Sequence, residues 1–179
     1  MHLRLFTQKQ NNSKLTIKDI TIMALMVAII EVSKVAMAQI PNVELTSFWI
    51  IMFTLYFGKR IFYVIPVFIL IEGAMYGFGL WWIMYLYAWP LLAIVTLVLH
   101  KMKGTWEWSM ISGIFGLSFG LLCAIPYIFT SGIYGAFTWW VAGIPFDLIH
   151  GIANFVIMLV LHKPKKTVMS KMSKNEMHD

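Results

Sequence analysis

Charge is scarce in this chain. Only 12% of its 179 residues are Asp, Glu, Lys or Arg, while 60% are hydrophobic and the mean hydropathy is +0.76. A soluble domain carries roughly a quarter charged residues. So little charge cannot cover an apolar interior in water, and the surplus apolar surface needs lipid. Cysteine is scarcer still. Cys123 is the sole thiol, set in an apolar stretch. That excludes an intrachain disulfide and a multi-cysteine metal site, and makes Cys123 a small buried apolar side chain. Catalytic signatures are missing too: there is no H-E-x-x-H, no P-loop and no G-x-S-x-G. Lacking a P-loop, the chain cannot power transport with ATP by itself. No cleavable signal peptide is evident, because the first sixteen residues are polar and no small-residue cleavage site follows the first apolar run. That run is expected to be a retained span.

Positive charge is also absent from every second gap between the long apolar stretches. The basic gaps hold Arg4, Lys9, Lys14 and Lys18, then Lys59-Arg60, then Lys101 and Lys103, then the tail from Lys163. The intervening gaps, with Asn42 and Glu44, with Gly77 to Trp81, and with Thr130 to Gly135, contain no Lys or Arg. Of fourteen Lys and Arg residues, only Lys34 breaks the pattern. Repeated along the chain, this is the positive-inside rule, and it predicts an even number of spans with both termini cytoplasmic. The net charge of +6 is explained by topology and anionic headgroups, so no nucleic-acid partner is expected. Continuous apolar runs argue for helices, since barrel strands would alternate. The predicted fold is an all-α integral membrane bundle of six helices, within residues 17–162. The spans are expected near Ile17–Ile40, Leu45–Phe57, Ile61–Phe78, Trp81–Leu99, Trp106–Phe129 and Ala136–Leu161. The second is short for a ~30 Å core. Pro126 is expected to bend the fifth, and Pro145 lies inside the sixth. Residues 1–16 are expected to form a cytoplasmic N-terminal segment, and 163–179 a basic, disordered cytoplasmic tail. No repeat points to the inverted halves of a transporter.

Charged and polar side chains inside spans are costly and face a bundle interior or a cavity. Glu31 and Lys34 share one helix face and can pair. Glu72 either pairs with Lys34 across helices or faces a polar cavity. Asp147, His150 and Asn154 fall at i, i+3 and i+7, on one stripe. Such a stripe serves either an interhelical hydrogen-bond network or a bound ligand. The doublets Trp81-Trp82 and Trp139-Trp140 suit an interfacial aromatic belt or a shared binding mouth. Gly73-x-x-x-Gly77, the set Gly113, Gly116 and Gly120, and Ala24-x-x-x-Ala28 allow close helix approach.

Size, topology and the alanine motif in the first span together resemble the substrate-binding S component of energy-coupling-factor (ECF) vitamin transporters. The resemblance covers about residues 15 to 165 and includes Ile40 to Leu45, Glu72 to Trp82 and Ala142 to His150. It implies a multi-pass protein of a bacterial plasma membrane, not itself an enzyme. Such a protein captures a micronutrient from outside, without a resident cofactor. Its implied partners are a transmembrane coupling subunit driven by two cytoplasmic ATPases, the vitamin and the lipid bilayer. Ala24 and Ala28 match the alanine motif that docks on the coupling subunit. The implied ligand pocket comprises Asn42, Glu44, Glu72, Trp81, Trp82, Tyr85, Trp139, Trp140, Asp147, His150 and Asn154. A cobalamin-type corrinoid is the first candidate ligand. The residues alone leave two other classes open: an ion-coupled carrier, and an intramembrane enzyme using His150 or Asp147.

Overall fold

A computed structural model of the protein describes residues 15–162. The tail expected over 163–179 lies outside the described residues, as does all but the end of the segment expected over 1–16. Every regular element among them is helical: α1 (Ile17–Met37), α2 (Thr46–Phe57), a 3-10 turn (Gly58–Arg60), α3 (Ile61–Tyr76), α4 (Leu80–Val98), α5 (Thr105–Leu117) and α6 (Phe119–Leu161). Four stretches are long and apolar enough to cross a membrane, namely Ile17–Met37, Thr46–Tyr76, Leu80–Val98 and Thr105–Leu161.

Local chemistry sets the helix ends. The Thr16 hydroxyl accepts the Asp19 N–H at 3.2 Å, and the Asp19 carboxylate accepts the Thr16 N–H at 3.1 Å, a capping box that opens α1. After Met37 the chain turns through Pro41 and through Asn42, whose φ of 58° is one asparagine tolerates. At α5, the Glu107 carboxylate accepts the N–H groups of Lys103 and Gly104 at 3.2 and 3.1 Å.

Two of the long apolar stretches fold back on themselves. Glu44, just before α2, and Tyr76, at the end of α3, line one cavity. Helix α2 therefore leads away from that cavity and α3 returns to it, reversing at the Gly58–Arg60 turn. The second reversal lies inside α6. Gly132 has φ 71° and ψ 175° and is the one residue there with non-helical dihedrals. That region is open essentially to glycine alone. Contacts descend both sides of this point in antiparallel register. Tyr127 stacks on Trp139 at 4.7 Å, Gly120 meets Asp147, and Gly116 and Gly113 meet Gly151. At the base, Thr105 meets His162, with 3.0 Å between the hydroxyl and Nδ1. Burial holds the His162 imidazole below the usual histidine range. The segments predicted as the fifth and sixth spans, Trp106–Phe129 and Ala136–Leu161, lie on the two arms either side of this break. The break falls at Gly132, although Pro126 and Pro145 both lie within α6.

Helix α1 packs on α3, α2 on α4, and α4 on α6. The centre is Trp89, fully buried, with rings of Tyr85, Phe68, Phe119 and Phe115 at 5.2 to 6.2 Å. The outward faces are apolar, with Ile17, Leu70, Val98, Ile152 and Val160 all exposed. Exposed apolar surface on this scale calls for lipid.

Candidate functional site

The helices converge on a cavity of about 490 Å³ at the end opposite the basic turns. It is bounded by the end of α1 (Lys34, Met37), the α1–α2 connection (Asn42, Glu44), the end of α3 (Glu72, Tyr76) and the start of α4 (Trp81, Tyr85). Phe119, Phe146, Asp147 and His150 from the α5–α6 hairpin close the far wall. Lys34 lines it, whereas Lys18, Lys59, Arg60, Lys101 and Lys103 lie towards the other end, where Arg60 bonds Asp19 at 2.7 Å.

On one wall the Lys34 ammonium pairs with the fully buried Glu72 carboxylate and stands 3.4 Å from the Tyr85 hydroxyl. The same ammonium lies 5.3 and 5.4 Å from the ring centres of Tyr85 and Tyr76, within cation–π reach. Of the two pairings open to Lys34, the structure makes the one across helices. Glu31 keeps both carboxyl oxygens buried, within hydrogen-bonding reach of the Glu72 carboxyl.

Asp147 and His150 form the facing wall. Asp147 Oδ1 accepts the Gly120 N–H at 2.9 Å, a donor left available by the helix break at Ser118. A Cβ on Gly120 would overlap both Asp147 oxygens, so the glycine is what admits the carboxylate between the two arms. His150 Nε2 stands 3.3 Å from Glu44 Oε1, and its ring packs edge-on against Phe119 at 4.8 Å. Glu72 Oε1 and Asp147 Oδ2 are buried and accept no donor, while Glu44 Oε1 and His150 Nε2 have only each other.

Seven of the eleven pocket residues named from sequence line this cavity: Asn42, Glu44, Glu72, Trp81, Tyr85, Asp147 and His150. The other four do not. Trp82 turns towards α3, where its indole N–H donates to the Ile69 carbonyl at 2.8 Å and its ring fills the space beside Gly73. Asn154 lies one helical turn below His150 and donates to Ser47 Oγ at 3.1 Å, both groups buried. That is the interhelical network outcome for the last member of the stripe. Trp139 and Trp140 lie about midway between Asp147 and the tip of the α5–α6 hairpin, against Tyr127 and Phe137. Gly132 is fifteen residues beyond Asp147, ~22 Å at ~1.5 Å per residue. Met37, Tyr76, Phe119 and Phe146 line the cavity without having been singled out. Tyr76 is one turn beyond Glu72 and could have been found by helical spacing. Phe119 could not, because its place depends on the α5–α6 register.

Ala24 and Ala28 lie on the exposed face of α1, together with Leu25 and Val32. No group of three or more His, Cys, Asp or Glu among the described residues could hold a metal ion. Comparisons with family models, with curated proteins and with solved structures give no match.

Proposed function

We propose that this chain is the membrane-embedded substrate-binding subunit of an ECF-type importer for a vitamin or related micronutrient. It crosses the membrane six times. The stretch Thr105–Leu161 has 57 residues, about 85 Å of helix against a ~30 Å core, and its reversal at Gly132 makes two crossings of it. The reversal at Gly58–Arg60 divides Thr46–Tyr76 in the same way. Both termini then lie on the cytoplasmic side with the basic turns, and the cavity opens to the outside.

The observation that carries the reading is the cavity itself. It sits at the end poor in Lys and Arg, has a volume typical of small-molecule sites, and combines aromatic walls with a few converging polar groups. The exposed Ala24 and Ala28 face of α1 is free to meet a coupling subunit. Energy for release inward comes from that subunit and two cytoplasmic ATPases. A corrinoid, the ligand suggested by the resemblance, would extend through the mouth against the hairpin. A ligand of one to three rings would be held within the cavity. Native mass spectrometry after gentle purification from the host membrane tests the reading. The expected result is a stoichiometric small molecule, with the ATPase module co-purifying. A protein free of any vitamin, and failing to bind one without ATP, ends the proposal.

A further inference from the structure

We infer that the cavity takes a small organic cation bearing N–H donors, of the protonated amino-heterocycle kind, and rejects anions; this rests on the binding-subunit reading above.

The polar atoms are unevenly matched. Glu44, Glu72 and Asp147 bring three carboxylates to one cavity, and Lys34 is the sole ammonium among its lining residues. Carboxylates therefore outnumber ammonium groups three to one among the lining residues. Lys34 is already committed to Glu72 and the Tyr85 hydroxyl. The one backbone donor at Asp147, the Gly120 N–H, is spent on Oδ1. Glu44 Oε1 has only His150 Nε2, 3.3 Å away, and Asp147 Oδ2 accepts no protein hydrogen bond. Glu72 is wholly buried behind Lys34, whereas Asp147 keeps 7% exposure and the Glu44 side chain 17%, so these two present the carboxylate surface that a ligand can reach. Buried acceptors without donors are costly, and a ligand that supplies the missing hydrogens recovers that cost.

Charge and shape point the same way. An anion would enter among three carboxylates and find only an ammonium that is already paired. A cation would offset the excess charge. Trp81 and Tyr85, edge to face at 5.2 Å, offer an aromatic wall to a planar ring and favour a positive one.

Binding to the purified full chain in lipid nanodiscs, followed by calorimetry and intrinsic tryptophan fluorescence, tests the inference with a panel sorted by charge. Thiamine and pyridoxamine supply cations with N–H donors, riboflavin and cyanocobalamin are neutral, and nicotinate, biotin and pantothenate are anions. Saturable binding of a cation, at least tenfold tighter than any neutral or anionic member, is expected. Asp147→Asn keeps an acceptor for Gly120 while removing the charge, and should weaken that binding at least tenfold; Glu44→Gln is the second such variant. Tightest binding of an anion or a neutral vitamin overturns the charge inference and leaves the importer reading intact. Unchanged cation affinity in both variants also overturns it. Binding of no vitamin of any class removes the importer reading and this inference together.

Discussion

Lys34 and Glu72 show how much one pair can matter. Glu72 is wholly buried and its charge is met by a single ammonium from another helix. Removing one partner of a buried pair costs about 3–5 kcal/mol, whereas replacing both can be nearly neutral. Lys34→Gln should therefore destabilise the protein strongly. The double variant with Glu72→Gln should recover most of the loss, as read by thermal unfolding in detergent. Additive losses would show that the pair is not coupled. Asn154 sits at the other extreme. Its bond to Ser47 is one interhelical hydrogen bond, worth about 0.6 kcal/mol on average and up to ~1.7 in a membrane bundle. Asn154→Ala should cost about 1 kcal/mol and leave ligand affinity within about twofold. A tenfold loss of affinity at unchanged stability would return Asn154 to the binding site.

At the scale of elements, the α5–α6 hairpin decides what the site can be. Its two arms touch through Gly113, Gly116, Gly120 and Gly151, where added Cβ atoms would collide with the facing arm. The reversal depends on Gly132, whose Cβ would meet nothing within 4 Å. The cost of Gly132→Ala is therefore purely backbone strain, about 1–3 kcal/mol. Urea or thermal denaturation should find that loss, while a change below ~0.5 kcal/mol would mean the reversal does not need this conformation. The helices themselves were legible in the sequence because apolar runs and basic turns are local signals. Asp147 and His150 were legible for the same reason, as polar residues spaced along an apolar helix. The place of Trp139 and Trp140 outside the cavity lining was not legible, because doublets report aromatic character and not height along a hairpin. The Gly120 to Asp147 bond was illegible, since it joins residues whose contact exists only once the register of two arms is fixed.

The whole molecule is polarised, and the two ends carry different tasks in the proposed importer. Around the cavity, α1 contributes Lys34 and Met37 from its last turns. Ala24 lies ten residues earlier, ~15 Å of helix away, and is exposed where Lys34 is half-buried. In the proposed importer, one helix would hold the ligand wall near its outer end and the docking surface lower down, on a different face. The two functions should be separable by substitution. Ala24→Trp adds a large side chain to an exposed face, so it should neither unfold the bundle nor disturb the cavity. It would block close approach of a partner helix, which small residues permit. In cells that carry the ATPase module, vitamin uptake should fall at least tenfold. The purified variant should bind the same vitamin with unchanged affinity. Uptake at the unaltered rate would remove α1 from the docking surface. Loss of binding together with uptake would place Ala24 in contact with the site and contradict the separation of the two ends.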